Sequence, residues 1–172
     1  MQVEEAQPPE LARISELWAY LLTSDIQPGI NEMEMIMSPG PMKMLRGLIE
    51  QFDPSAISSP QLHAERWGLS CQWSEFFNQF PLVVGPTWTD IPFLHDADLG
   101  EDGSEVTANM LGFITPGNFL GLPSTCVPTG VADGLPTGVQ IYADRWREDL
   151  CLEGAAIVES KIGQITPIDP KF

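Results

Sequence analysis

Asn118-Phe119-Leu120-Gly121-Leu122-Pro123-Ser124-Thr125-Cys126-Val127-Pro128-Thr129-Gly130 is followed by Gly134-Leu135-Pro136-Thr137-Gly138-Val139-Gln140-Ile141 and then by Arg147-Glu148-Asp149-Leu150. Residues 122–128 form a short apolar run bounded by prolines, and residues 138–143 form a second run rich in β-branched positions. Both read as strands, and the glycine-led turn at 134–137 between them predicts a hairpin. A helix follows over 147–161, with Leu150, Leu152, Ala155, Ala156 and Val158 apolar. Upstream, Pro81-Leu82-Val83-Val84-Gly85-Pro86 reads as a third strand, of the type buried on both faces of a covered sheet.

The pattern ahead of that strand is helical. Residues 10–22 place Leu11, Ile14, Leu17, Trp18, Leu21 and Leu22 at offsets of three and four, and Pro28-Gly29 stops the run. Residues 42–52 repeat the pattern behind a break at Pro39-Gly40-Pro41. Residues 61–79 form a longer helix whose Trp67, Trp73, Phe76 and Phe77, with Phe80 beyond it, predict a heavily buried face. Ser58 and Ser59 stand before Pro60, where a hydroxyl caps a helix start. Residues 2–5 read as an edge strand, 95–105 as an acidic loop, 107–113 as a helix and 169–172 as a tail. The organisation is thus one unit over 1–172, mostly helical over 1–80, with core strands and a final helix over 81–161.

Composition narrows the function. The 172 residues hold 8 Lys and Arg against 24 Asp and Glu, a net charge of −16. Phosphate recognition needs clustered cations, so nucleic acid and anionic membrane surfaces are not expected partners. No apolar run reaches the roughly 18 residues of a membrane span, and the N-terminus has neither a cationic start nor an apolar core of a signal peptide. Cys71, Cys126 and Cys151 are few, odd in number and outside CxxC spacing, which predicts a reducing, cytoplasmic setting.

No catalytic centre emerges from the residues. His95, Asp96, Asp98, Asp102 and Glu105 crowd one loop, but an EF-hand count from Asp98 puts Gly103 at position six, Gly100 at three and Asn109 at twelve, so two ligand positions fail. His63 and Glu65 have no third ligand nearby. All three cysteines read as packing groups rather than nucleophiles. There is no Gly-x-Ser-x-Gly elbow and no phosphate loop. The lysines are Lys43, Lys161 and Lys171, none beside a glycine- or serine-rich loop. Gln140, between Val139 and Ile141, is expected to be buried and to need hydrogen-bond partners. Asn118 is expected to cap or brace a loop, and Glu148 to favour the first turn of the last helix. Met33, Met35, Met37, Met42 and Met44 fill either core or an adaptable apolar pocket.

The three blocks quoted first resemble the C-terminal part of the amidase signature family, in the order an Asn-x-x-Gly-Leu-Pro strand, a Gly-Leu-Pro-x-Gly-Val-Gln-Ile strand and an Arg-Glu-led helix. Val3-Glu4-Glu5-Ala6-Gln7-Pro8-Pro9 is similar to the family's mid-chain strand, and Phe80-Pro81-Leu82-Val83-Val84-Gly85-Pro86-Thr87, with Pro92-Phe93 after it, to a later core strand. The resemblance implies an α/β/α fold, a mixed sheet covered by helices, and hydrolysis of carbon–nitrogen bonds in amides. Family members use a Ser–cis-Ser–Lys triad from the N-terminal half. No Gly-Gly-Ser-Ser stretch and no matching lysine stands in this chain, so no catalytic, cofactor or metal residue is carried over. The implied partner is an N-terminal amidase fragment or a second copy of the chain, with a small amide as substrate once complemented. An isolated half-sheet leaves a strand edge unpaired, so the chain alone is expected to be inactive and prone to self-association. A non-catalytic binding module and a nonfunctional gene fragment are the other origins the sequence leaves open. Residues 33–41 and 88–95 are the loops on which substrate choice would depend.

Overall fold

The computed structural model describes residues 2–100 and 102–163. Strands β2 (Ser124–Ala132) and β3 (Leu135–Tyr142) form the expected hairpin, antiparallel, closed by the pair Ala132↔Leu135. The loop is two residues, Asp133-Gly134, with φ of 49° and 81°, so the turn lies ahead of Leu135 rather than over 134–137. Positive φ at both loop residues matches the right-handed twist of the flanking strands, and Asp-Gly supplies it at low cost. A register shift between Pro128 and Gly130 accommodates the proline, which has no N–H for the ladder.

Strand β1 (Val83–Pro86) pairs antiparallel with β3 from Val83↔Tyr142 to Pro86↔Val139, giving the order β1-β3-β2. These three strands are all antiparallel, a local part of the α/β architecture in which a mixed sheet was expected. Among the described residues β1 has a neighbour on one side only. It is therefore an edge strand rather than one buried on both faces: Val83 is buried, while Val84 is 49% exposed.

Alternation of side chains across the pleat assigns the two faces. Ile141 is fully buried against α7 (Glu148–Ile162), where the absence of a side chain at Gly154 lets Leu82 and Ile141 close in. On the opposite face, Val83 and Tyr142 join the main core with Ile14 and Leu17 of α1 (Leu11–Ile26), Leu62, Leu69, Trp73 and Phe77 of α4 (Ser59–Gln79), and Phe119 and Leu120 of α6 (Thr115–Leu120). The result is helices, sheet and helix in three layers, the covered α/β arrangement the sequence predicts.

The helix ends explain most of the departures. α1 runs on to Ile26, and Pro28-Gly29 sits in a 3-10 turn, Gln27–Gly29, that leads into the short α2 (Ile30–Met33). Pro39-Gly40-Pro41 opens α3 (Pro39–Gln51) rather than breaking the chain, because proline at the first helical positions has no N–H to leave orphaned. Ser58 caps α4 as expected, its Oγ accepting from the Gln61 N–H at 3.4 Å. Trp73 and Phe77 are buried, but Trp67 is 66% exposed, against the expectation for that helix face. The helix predicted at 107–113 is α5 (Gly103–Leu111), and α6 follows it, started by Pro116. Residues 2–5 form no strand and are exposed; the entering chain is held instead at Pro9, whose carbonyl accepts from Trp73 Nε1 at 2.9 Å. The tail at 169–172 lies outside the described residues, and no helix among those described is long and apolar enough to cross a membrane.

Candidate functional site

The sheet face that meets α6 carries a line of polar groups. Gly85, Gln140 and Cys126 are register partners across β1, β3 and β2, so their side chains share one face, and Tyr142 follows Gln140 by one pleat. The Phe113 ring lies flat against Gly85, where a Cβ would come within 2.4 Å of its Cζ. The same ring packs on Tyr142 with centroids 5.3 Å apart. Gly117 of α6 lets the tyrosine ring approach, since a Cβ there would stand 2.7 Å from Tyr142 Cε1.

This packing delivers the hydroxyl of Tyr142 to the Phe113 carbonyl, to which it donates at 2.9 Å. The hydroxyl accepts from Gln140 Nε2 at 2.5 Å, and Gln140 Oε1 faces the Cys126 thiol at 3.7 Å. Burial pushes the Tyr142 hydroxyl well above its ordinary value, so it serves as a neutral hydrogen-bonding group and not as an acid near neutral pH. Gln140 is 7% exposed and satisfied, as expected of a polar residue between Val139 and Ile141. Beyond Gln140 the face opens: Ser124, Cys126 and Pro128 of β2 are exposed. The Thr87 hydroxyl, close to Gly138 of β3, is buried without a partner among the described residues.

The other residues weighed from sequence scatter. Cys126 and Cys71 are exposed rather than packed, because the face of β2 that carries Cys126 is uncovered among the described residues and Cys71 turns to the outside of α4. Cys151 is buried as expected, its thiol 3.4 Å from the Pro123 carbonyl and pushed up by desolvation. His95 pairs with the neighbouring Asp96 at 3.0 Å on the surface, and His63 is exposed on α4. Gly103 sits where a Cβ would come within 2.0 Å of the Asp98 carbonyl, so close backbone approach accounts for this glycine. Glu65 is held by Arg13, at 2.5 Å from Nη2, and its carboxyl lies below the usual range for that reason. Lys43 and Lys161 are exposed on α3 and α7, and Lys171 lies outside the described residues. Asn118 is exposed on α6 and its side chain caps or braces nothing among the described residues, while Glu148 opens α7 as expected. Phe113 and Tyr142 escaped the sequence reading. The signal was the two-residue step from Gln140 to Tyr142, which puts both on one face.

A family model described as Amidase matches residues 43–152. Indoleacetamide hydrolase of Bradyrhizobium japonicum is 39% identical over 105 residues, 60% of this chain and 23% of its own length. A glutamyl-tRNA(Gln) amidotransferase subunit from Salinispora tropica is 30% identical over 152 residues, 81% of this chain and 30% of its own. The chain therefore spans less than a third of these relatives. The crystal structure of the corresponding glutamyl-tRNA(Gln) amidotransferase subunit from Thermotoga maritima superposes with a TM-score of 0.70 at 21% identity, over 94% of this chain and 35% of that one. A bacterial aryl acylamidase of the amidase signature enzymes gives a TM-score of 0.61 at 24% identity, over 92% of this chain and 35% of that one.

Proposed function

The chain belongs to the amidase family, and from that premise we propose that it supplies one wall of a carbon–nitrogen hydrolase acting on small amides. The nucleophile and base come from a separate amidase segment. The observation that carries this reading is the half-finished polar face of the sheet. Its inner part is fully bonded through Gln140 and Tyr142, whereas Ser124, Cys126 and Pro128 stand open beside it. The reading is supported by the hydrogen bonds of the described serine hydroxyls, none of which goes to a lysine. A polar wall of this kind orients and shields a substrate while chemistry is performed from the facing side.

The free edge of β2 and the exposed half of its face are where the complementing segment would pair, since unpaired strand edges recruit further strands. Ammonia release from indole-3-acetamide tests the proposal, with the chain alone and after co-refolding with the N-terminal segment of the Salinispora tropica relative. No turnover is expected from the chain alone, and turnover from the mixture. Turnover by the isolated chain that survives replacing Lys43, Lys161 and Lys171 with arginine would refute it.

A further inference from the structure

A cavity of about 690 Å³ opens at the C-terminal end of α6, bordered by α4 and by residues 145–148, away from the Gln140–Tyr142 line. His63, Arg66, Trp67, Arg145, Trp146 and Glu148 line it. The chain has 24 carboxylates for 8 basic side chains, so an arginine without a carboxylate partner is unexpected. Arg13 holds two, and Arg46 and Arg147 one each. Arg66 and Arg145 hold none among the described residues, and both line this cavity. Glu148, the carboxylate on its rim, pairs with neither.

Their other bonds fix them in place. Arg66 Nε donates to the Phe119 carbonyl at 2.5 Å. Arg145 donates through Nε and Nη2 to the Leu120 carbonyl at 3.3 and 3.0 Å, and through Nη2 to Ser70 Oγ at 2.6 Å. The guanidinium groups thereby cap α6, while both Nη groups of Arg66 and Nη1 of Arg145 donate to nothing among the described residues. A half-buried guanidinium held in plane, with donors to spare, is a preorganised fork for a carboxylate.

Two tryptophans frame the same opening. Trp67 is 66% exposed and Trp146 is 86% exposed, so burial explains neither. Trp146 also holds φ at 65°, a conformation costly for a bulky residue. The surrounding turn maintains it: the Asp144 carboxylate accepts from Ser74 Oγ at 2.8 and 2.7 Å and from the Arg145 N–H at 2.8 Å, and the Asp144 carbonyl accepts from the Arg147 N–H at 3.1 Å. Strain is thus maintained to present an indole ring to solvent beside two cations that no described carboxylate pairs.

We propose that this cavity binds a small aromatic carboxylate, its anionic head on Arg66 and Arg145 and its ring against Trp146 and Trp67. The preference for carboxylate over phosphate rests on the hydrolase reading, since cleavage of an amide releases a carboxylate. The cavity shares no side chain with the Cys126–Gln140–Tyr142 line, so occupancy is separable from hydrolysis.

Isothermal calorimetry on the 172-residue chain tests this with phenylacetate, phenylacetamide and phenyl phosphate. Saturable binding of phenylacetate is expected, with phenylacetamide at least about tenfold weaker, the scale of one charge-assisted hydrogen bond. Trp146→Ala keeps the same left-handed backbone and removes only an exposed ring, so it should keep the melting temperature while weakening phenylacetate by about tenfold, the scale of an aromatic pair. Arg66→Gln, checked for a native circular dichroism spectrum, should abolish the preference for acid over amide. The proposal is overturned by a lack of saturable binding, by acid and amide binding alike, by Trp146→Ala binding as wild type, or by phenyl phosphate binding more tightly than phenylacetate. Because the readout is binding without turnover, failure here leaves the hydrolase reading intact, and absent ammonia release leaves this site intact.

Discussion

Replacing Tyr142 with Phe isolates the polar line across the sheet. The hydroxyl makes two bonds, accepting from Gln140 Nε2 at 2.5 Å and donating to the Phe113 carbonyl at 2.9 Å. Losing both removes about 1 kcal/mol each, and the Gln140 amide, 7% exposed, is left with an unsatisfied N–H at a further cost of about 1–2 kcal/mol. The sum predicts a loss of about 3–4 kcal/mol for Tyr142→Phe, within the range of a broken buried network. Gln140→Leu should cost only about 1 kcal/mol, because Tyr142 keeps its bond to Phe113 and the buried amide is replaced by an apolar group of similar size. In the double variant the shared bond is lost only once and no donor is stranded, so its loss should fall short of the sum of the singles by about 2–3 kcal/mol. Urea unfolding at pH 7, followed by far-ultraviolet circular dichroism at two protein concentrations, measures the cycle. Additivity to within about 0.5 kcal/mol would show that the two side chains are not coupled and would refute the polar line.

Further outcomes follow from the same packing. Tyr142 is held neutral, its folded pKa above the free value, so its stabilising contribution is complete below about pH 10 and is lost as pH rises toward the folded value; between about pH 10 and 11 the wild type should lose about 1 kcal/mol more stability than Tyr142→Phe, read from urea midpoints. Iodoacetamide on the native chain should label Cys71 and Cys126 and spare Cys151 until urea is added, as peptide mass spectrometry would show; equal labelling of all three would contradict the buried position of Cys151. Gly85→Val places new atoms where Phe113 Cζ stands 2.4 Å from the ideal Cβ, so it should cost about 1–3 kcal/mol and be largely rescued by Phe113→Ala in the same chain. If the paired variant is no better than Gly85→Val alone, the ring is not what fills that space.

The elements with strong local signals were legible. The hairpin follows from two apolar β-branched runs around a glycine turn, and α4 from aromatic residues at helical spacing above a serine cap. The blocks at 118–130, 134–141 and 147–150 carried the family resemblance. Less legible were boundaries set by proline, which ends one helix and begins another with the same residue. Pro39 looked like a break and is the first residue of α3, and Pro116 opens the α6 helix that periodicity overlooked. The strand expected at 2–5 failed because its apolar content is small and no partner edge among the described residues reaches it.

By itself the sequence determined which residues alternate, that two of its strands form a hairpin, and the family to which the order of its glycine–proline strands points. These are local quantities, set by dihedral preferences and a two-residue pleat. Only the tertiary structure decided which face is covered. Alternation places Cys126 and Gln140 on one face, yet Gln140 is buried under Phe113 while Cys126 lies open, because α6 and the Phe113 ring cover β3 and stop short of β2. The same holds for charge. The composition counts 8 basic groups against 24 acids, but which arginines go without a carboxylate among the described residues is fixed by contacts between residues 25 to 75 positions apart. Arg66 and Arg145 are drawn to the end of α6 by its orphaned carbonyls, and that long-range capping leaves their remaining donors facing the cavity.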